Sequence, residues 1–580
     1  MAFSRAAKFT LAGLLIAFPW LSDSFTAYQL GLYLLYGMVA QGIALCWGRA
    51  GFLPLGQALF FGIGAYLSGA ALKADLGWAL LLPAFAVACL VPALLAGLIG
   101  ALVFNRQTGS GPYFSLITLA LSMLGFQLAN SLSGITGGFN GMTAIPGLPG
   151  IDTYETLYFV IAGVLVVSTL VLAHVMRAPF GQLLIAIREN EERLQFFGFR
   201  TSMLKAAAFA ISGGVAGLAG VLYAPHQGIV TPQAVGFVLS AELLIWTAVG
   251  GRFGLIGPVA GAVLIGFMAA GLRDSFRYWE VAVALVFILV VLKMPGGISG
   301  LFSAALSRFG GGRQIRGPGI AALQLAGKEH RAAPDLRFDG VGVSMGPVRI
   351  LNGLSFSISR TGIHCIIGPN GAGKTSALNV LTGRLPLGAG DISWRGVSLG
   401  NTRPFIAARN GIGRKFQVPS IFPELSVRQN IEIALWANRI GTVEMLSMRP
   451  YGWTTQMLGE LATRFPFLTQ RDKTAGSLSV GQRQMLDFSM TVLAEPDLVL
   501  LDEPCAGLST DETRQMIEAI AAIAGETKAT FIIIEHDMQV VERLSDHVIV
   551  MHQGALLANG TMTEIRANAD VARVYSGGSK

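Results

Sequence analysis

The pattern GxxxxGK[ST] stands at residues 368–375, as Gly368-Pro369-Asn370-Gly371-Ala372-Gly373-Lys374-Thr375. The apolar run 363–367 before it predicts a buried strand, and residues 376–381 after it predict the start of a helix. In that setting glycines let backbone N–H groups turn toward phosphates, the lysine adds positive charge, and the threonine hydroxyl can ligate Mg²⁺. The sequence therefore predicts an α/β nucleotide-binding domain of the P-loop type. The residues of this stretch expected to bind the nucleotide are Gly368, Asn370, Gly371, Gly373, Lys374, Thr375 and Ser376.

The composition divides the chain into two unlike parts. Of its 580 residues, 52% are hydrophobic and only 13% are charged, which is unusual for a soluble protein. The apolar stretches lie before about residue 305, and the composition after about residue 335 is that of a soluble α/β domain. We therefore expect a multi-domain protein: an α-helical polytopic membrane domain at 1–303, a Gly- and Arg-rich linker at 304–335, and the P-loop domain at 336–580.

The first part contains apolar runs that predict about ten membrane segments, some of them short enough to be broken or re-entrant. The run Leu11–Leu21 is interpreted as the first segment, because no clear signal-peptide cleavage site follows it. The predicted segments are 9–21, 28–47, 55–73, 78–103, 113–131, 155–176, 205–226, 236–250, 254–272 and 279–297.

The net charge of +8 comes from basic residues dispersed over short loops and the linker, so it does not indicate a nucleic-acid partner. Arg49, Arg106, the run 177–200 and Arg252 all fall on the side of the P-loop domain, as the positive-inside rule requires of a cytoplasmic face. The four cysteines have no CxxC spacing and predict neither a disulfide framework nor a zinc site.

Three features of the membrane part have open interpretations. The glycines between residues 213 and 220 favour ordinary close helix packing. Glu242 either faces a translocation pathway or lies solvated near the outer interface. The polar helix predicted around Arg188–Arg193, within the cytoplasmic loop Pro179–Arg200, is either a solvated face or the place where the membrane part receives force from the ATPase.

Five further motifs follow the P-loop in order: Phe416-Gln417, Leu478-Ser479-Val480-Gly481-Gln482, the apolar strand 498–503 ending in Asp502-Glu503, the loop 506–509, and His536 after the apolar run 531–534. Together with the P-loop they closely resemble an ABC-type ATPase domain, which implies hydrolysis of ATP. The resemblance implies that Glu503 orients or deprotonates the attacking water, while Gln417 and His536 contact the γ phosphate. It also implies that Asp502, Thr375 and Gln417 hold Mg²⁺.

The same resemblance implies that Ser479, Gly481 and Gln482 begin a helix that faces the ATP of a partner domain. The chain departs from the family at two positions. Met345 stands where an aromatic residue normally stacks on adenine, so base stacking is weaker or is supplied elsewhere. Val480 replaces a glycine beside Ser479, and we expect phosphate contact to survive that change.

The membrane part resembles permeases of the branched-chain amino acid and urea or short-chain amide branch of ABC importers. The stretches that carry this resemblance are 48–51, 55–66, 113–120, 136–141 and 250–252. Within the branch, residues 245–252 and 411–417 look closer to urea transporters.

The sequence thus predicts a fused permease and ATPase subunit of a binding-protein-dependent importer in a bacterial inner membrane. The resemblance implies four partners: a second permease, a second ATPase, an extracytoplasmic solute-binding protein and the lipid bilayer. Two copies of the chain forming a symmetric transporter is the other possible assembly. The competing functions are an ABC exporter and a membrane-anchored regulatory ATPase that transports nothing. The solute itself is not identified by the sequence.

Overall fold

The structure is a computed structural model that describes residues 13, 15, 17–106, 111–275, 277–294, 296–300, 323–325, 334–447 and 452–576. The chain divides into two compact units. The first comprises Met1–Arg188, Thr201–Arg316 and Met445–Met448; the second comprises Glu189–Arg200, Gly317–Glu444 and Arg449–Lys580. Most of the predicted linker 304–335 lies outside the described residues, so its boundaries stay a prediction.

The first unit is helical. Its main helices are α1 (Ser24–Ala44), α2 (Gln57–Lys73), α3 (Trp78–Arg106), α4 (Pro112–Ser131), α5 (Thr156–Arg177), α6 (Pro179–Gln195), α7 (Thr201–Gln227), α8 (Phe237–Gly250), α9 (Ile256–Ser275) and α10 (Trp279–Lys293). A π-helical turn, Leu45–Arg49, continues α1. The last residues of α6, from Glu189 onward, belong to the second unit.

Five stretches in the described residues are long and apolar enough to cross a membrane. They are Ser24–Arg49, Trp78–Asn105, Pro112–Ser131, Thr156–Arg177 and Thr201–Gln227, and the shorter apolar helices are Phe237–Gly250 and Ile256–Leu272. The polytopic helical architecture is confirmed, but the count of about ten segments is not. The predicted segment 9–21 is described only in part, at residues 13, 15 and 17–21.

Glycines bring α2 and α7 into backbone contact. A Cβ atom on Gly220 would overlap the main-chain oxygen of Phe61, and one on Gly64 would overlap that of Gly217. Small residues at such positions allow close packing where no water drives helices together. These glycines therefore serve helix packing, as the sequence favours. Glu242 lies half-buried in α8, and its role stays a prediction.

The second unit contains two main sheets. Their strands are β1 (Leu336–Met345), β2 (Val348–Ile358), β3 (Gly362–Ile367), β4 (Ala389–Trp394), β5 (Val397–Ser398), β6 (Ile412–Lys415), β7 (Leu498–Asp502), β8 (Thr530–Ile534), β9 (His547–His552) and β10 (Ala555–Gly560). The first sheet has six strands in the order β10-β9-β3-β8-β7-β6, and the second has four in the order β2-β1-β4-β5. A two-residue pairing joins Leu323–Gln324 to Trp453–Thr454.

The helices of this unit follow or connect the strands: α11 (Lys374–Leu381), α12 (Pro404–Arg409), α13 (Val427–Trp436), α14 (Thr442–Leu446), α15 (Gln456–Arg464), α16 (Val480–Leu493), α17 (Thr510–Glu526), α18 (Met538–Leu544), α19 (Met562–Ala567) and α20 (Ala569–Ser576). The last two residues of α14 belong to the first unit. Reciprocal capping boxes begin four of these helices, where Ser or Thr is followed three residues later by Gln or Glu.

The central strands of the six-stranded sheet position the site. Strands β7 and β8 are buried at every residue, and β3, β8, β7 and β6 run parallel. Continuous apolar strands of this kind are typical of parallel sheets covered on both faces. Their carboxyl ends share one edge, where the loops after them converge.

Candidate nucleotide site

The phosphate loop has the predicted strand–loop–helix setting, because β3 ends at Ile367 and α11 begins at Lys374. Gly373 adopts φ +94° directly before the helix, a conformation that L side chains rarely adopt. The Lys374 Nζ donates to the main-chain oxygens of Gly368 at 2.7 Å and Pro369 at 3.1 Å. Burial lowers the pKa of Lys374, and the carboxylates of Glu503 and Asp502 oppose that shift. The lysine charge is thus held beside the loop where a phosphate group is expected.

Thr375 and Asp502 come together at the start of α11 and the end of β7. The Thr375 hydroxyl donates to Asp502 Oδ1 at 3.4 Å. Burial raises the pKa of Asp502, and the positive charge of Arg414 lowers it. Mg²⁺ is usually held by one or two carboxylates together with phosphates and water. A hydroxyl and a carboxylate beside a phosphate loop fit that ion, and the described residues contain no group of three or more His, Cys, Asp or Glu that could hold a metal alone.

Glu503 lies between two other predicted catalytic side chains. Gln417 Nε2 donates to Glu503 Oε2 at 2.8 Å, and His536 Nδ1 lies 3.5 Å from Glu503 Oε1. The three residues follow β6, β7 and β8, so the parallel sheet brings them to one edge. Glu503 also adopts φ +45°, which is uncommon for a residue other than glycine. The sequence carries no signal for that conformation.

The predicted signature helix starts as expected but does not meet the phosphate loop. Ser479 Oγ accepts from the Gln482 N–H at 3.1 Å, and Gln482 Oε1 accepts from the Ser479 N–H at 3.3 Å, so the two residues form a capping box at the start of α16. Among the described residues, no hydrogen bond or ion pair joins Ser479, Gly481 or Gln482 to residues 368–376. Ser479 and Val480 are exposed at this helix start.

The turn between β1 and β2 is apolar and exposed. Met345 is 58% exposed and Val348 is 62% exposed. The strand after the turn approaches the phosphate loop, since a Cβ on Gly373 would meet the side chain of Leu351. Met345 therefore lies on a hairpin next to the phosphate loop. Its side chain has no aromatic ring that could stack on adenine.

Sequence reasoning overlooked several buried charged residues near the site. Arg414 Nη2 lies 3.6 Å from Asp502 Oδ2, and Asp487 is fully buried in α16. Glu535 is also buried and accepts from the Cys505 N–H at 3.2 Å; burial raises its pKa. The sequence does contain a signal for these residues. Arg414-Lys415 interrupts a run that otherwise predicts a buried strand, and Asp487 interrupts one that predicts a buried helix.

Residues Glu189–Arg200 belong to the ATPase unit although in the chain they lie between α5 and α7 of the first unit. The predicted continuous polar helix is wrong at Asn190, whose φ −155° and ψ 82° interrupt α6. Asn190 Oδ1 accepts from the Arg193 N–H at 2.9 Å and so caps the following turn. The interpretation of this stretch as a solvated face is also wrong for Arg193, which is 1% exposed.

Two family models match the chain. One, described as the permease component of the branched-chain amino acid transport system, matches residues 25–292. The other, described as ABC transporter, matches residues 351–506.

Curated relatives match the ATPase half. The high-affinity branched-chain amino acid transport ATP-binding protein LivG of Salmonella typhimurium is 35% identical over 250 residues, which are 42% of this chain and 98% of LivG. The corresponding protein BraF of Pseudomonas aeruginosa is 32% identical over 259 residues, again 42% of this chain and 98% of the relative. A solved nucleotide-free ATP-binding cassette from an ABC transporter has 24% identity and a TM-score of 0.37, and the match covers 42% of this chain and 98% of that one.

The family models and the curated relatives agree with the order of motifs in the sequence. The chain therefore belongs to the ABC transporter family that includes LivG and BraF, and it carries a permease domain and an ABC ATPase domain of that family in one polypeptide.

Proposed function

We propose that this chain hydrolyses ATP to drive import of a small nitrogen-containing solute across a membrane. The observation that carries the proposal is the convergence of Gln417 and His536 on Glu503, beside the phosphate loop of a chain that also has membrane-spanning helices. Glu503 takes the proton of the attacking water or orients that water. Gln417 and His536 hold the carboxylate in place and contact the γ phosphate.

A Mg²⁺ ion bound at this site would supply positive charge to the phosphates during transfer. Thr375, Asp502 and Gln417 are the residues proposed to hold it, because their oxygens are the ligand type that Mg²⁺ prefers. Ser479, Gly481 and Gln482 are proposed to face the nucleotide of another ATPase domain.

The permease family and the names of the ATPase relatives support transport of branched-chain amino acids. Urea or a short-chain amide remains the second candidate, on the resemblance of residues 245–252 and 411–417 to urea transporters. In either case an extracytoplasmic binding protein delivers the solute, and the source membrane is a bacterial inner membrane with the ATPase domain in the cytoplasm. The domain boundaries proposed for this machine are 1–303, 304–335 and 336–580.

We further propose that residues 188–197 transmit motion of the ATPase to the membrane helices. The stretch is continuous in the chain with α5 and α7, and from Glu189 onward it is part of the ATPase unit. A movement of that unit therefore displaces a segment that connects two membrane spans.

The proposal is tested by uptake in a strain that lacks the gene for this chain. Radiolabelled leucine, isoleucine, valine, urea and acetamide are offered separately, and the strain is complemented with the wild-type chain or with Lys374→Ala. We expect uptake of one solute class to return with the wild type only. Loss of intracellular solute on complementation would indicate an exporter, and unchanged transport of every solute despite active ATPase would indicate the regulatory alternative.

A further inference from the structure

Four charged side chains are buried together in the ATPase unit, outside the residues predicted to touch the nucleotide. Their exposed fractions are 1% for Arg193, 1% for Arg414, 0% for Lys415 and 0% for Asp487. Charged groups are removed from water at a high free-energy cost unless they are paired. Their contacts therefore define an arrangement that the fold maintains.

Arg193 holds two elements of the unit at once. Its Nη2 forms an ion pair with Asp487 Oδ1 at 2.7 Å and donates to Thr491 Oγ1 at 2.9 Å, both in α16. Its Nη1 donates to the main-chain oxygen of Arg414 in β6. The guanidinium of Arg193 thus fixes α16 against the strand that leads to Gln417.

The same ion pair also reaches the loop after Gln417. Asp487 Oδ2 accepts from the Ser420 N–H at 3.1 Å. Gln484, three residues before Asp487 in α16, donates through Nε2 to the main-chain oxygen of Gln417 at 3.1 Å. Arg193 therefore contacts strand β6 directly and the loop after Gln417 through Asp487. These two elements hold Gln417 next to Glu503.

Arg414 continues the chain of contacts to the metal carboxylate. Its Nη2 lies 3.6 Å from Asp502 Oδ2, while its Nη1 donates to Thr382 Oγ1 at 2.9 Å, directly after the end of α11. Asp502 in turn accepts from Thr375 at the other end of that helix. Arg414 thus lies against the carboxylate and against the helix that carries the phosphate-loop lysine.

We propose that Arg193 and Arg414 are positioning residues for the divalent cation of the ATP site. Arg414 orients Asp502. Arg193 holds the main chain of Arg414 directly, and it holds the loop after Gln417 through Asp487. The inference rests on the proposed function, because it takes Asp502 as a ligand of the cation. Since Arg193 lies in the segment Glu189–Arg200, the affinity for the cation depends on residues that join two membrane helices.

The test measures cation binding instead of turnover. The full-length chain is purified in detergent, and Mn²⁺ is titrated in the presence of a non-hydrolysable ATP analogue while free Mn²⁺ is followed by electron paramagnetic resonance. We expect Arg193→Met to weaken Mn²⁺ binding by about 10-fold, the size typical for loss of a group that orients a metal ligand. Binding of the analogue without metal should stay unchanged.

The direction of the change in Mn²⁺ affinity separates a positioning role from a purely electrostatic one. Removing a positive charge near a cation site raises the cation's affinity by electrostatics alone, so weaker binding reports lost positioning. Arg414→Lys keeps the charge but not the reach of the guanidinium, and should also weaken binding. Arg409→Met is the matched control, because Arg409 Nε donates to Gly198 O of the same segment at 2.9 Å. Among the described residues it forms no hydrogen bond or ion pair with Asp502, so the substitution should leave Mn²⁺ binding unchanged.

If Arg193→Met does not accumulate, Thr491→Val removes one contact of the guanidinium without changing charge, and should weaken Mn²⁺ binding to a smaller extent. Unchanged or tighter binding in Arg193→Met and Arg414→Lys, or an equal loss in Arg409→Met, would overturn the inference. A wild-type chain without nucleotide-dependent Mn²⁺ binding would instead overturn the proposed ATP site itself.

Discussion

At the scale of single residues, Glu503 combines an uncommon backbone conformation with two polar neighbours. Its φ is +45°, and its carboxylate lies between Gln417 and His536. Residues in sparsely populated conformations persist where the surrounding structure over-determines them. The side chain is only 20% exposed, so its carboxylate is partly shielded from bulk water.

Glu503→Gln should keep ATP binding and lower turnover by at least about 10²-fold, the range typical for loss of a general base. The amide retains size and hydrogen bonding but cannot accept the proton. Single-turnover hydrolysis and equilibrium ATP binding, measured on the assembled transporter, separate the two effects. Near-normal turnover would remove Glu503 from the reaction.

Met345→Tyr should tighten ATP binding by about 2- to 10-fold, because a stacked aromatic pair contributes about 0.5–1.5 kcal/mol beyond its buried area. Met345 is exposed on the hairpin beside the phosphate loop and offers no ring to the base. Val397→Tyr is the control, since Val397 is 51% exposed on another hairpin of the same sheet. Equal affinities for all three chains would show that the base does not reach this hairpin.

At the scale of elements, the sequence predicted the order of the ATPase motifs and most helix bounds because those signals are local. Segment 113–131 corresponds to Pro112–Ser131, and the apolar run before His536 corresponds to β8. The ion pair of Arg193 with Asp487 could not be predicted, since its partners lie 294 positions apart and no local pattern relates them. The break at Asn190 was missed because a polar run favours helix equally well with or without a capping asparagine.

The segment Glu189–Arg200 should lose coupling when its acidic residues are reversed. Glu192 pairs with Arg384 at 2.6 Å, and Glu189 Oε2 accepts from the Glu424 N–H at 3.0 Å. Glu189→Lys with Glu192→Arg should therefore leave the protein in the membrane and active in ATP hydrolysis but reduce solute uptake, measured side by side in proteoliposomes.

The matched control restores the exposed pair with opposite polarity. Glu192→Arg combined with Arg384→Glu should recover part of the uptake that Glu192→Arg alone loses, because the two side chains are each about two-fifths exposed and tolerate exchange. Unchanged uptake in the acidic-reversal variant would mean that these contacts do not carry the motion.

At the scale of the whole molecule, one permease domain and one ATPase domain occur in a single chain. Ser479 and the phosphate loop of that chain do not contact each other among the described residues, which is the arrangement expected when each ATP lies between two ATPase domains. The chain is therefore proposed as one half of a larger machine.

Native mass spectrometry of the tagged chain, expressed with its genomic neighbours, should show one copy beside a separate permease and a separate ATPase. That composition follows from the resemblance to importers with two different permeases and two different ATPases. A transport-competent complex with two copies of this chain and no other membrane or ATPase subunit would establish the symmetric assembly instead.

The ion pair of the buried Arg193 can form only late in the synthesis of the chain. Its partner Asp487 is synthesised 294 positions later, which at about 5–20 residues per second corresponds to a delay of roughly 15–60 s. During that interval the two flanking membrane helices have already left the ribosome, while the segment between them still lacks the domain that will enclose it. Residues 189–200 must therefore wait for the later part of the ATPase unit before the contacts that bury Arg193 can form.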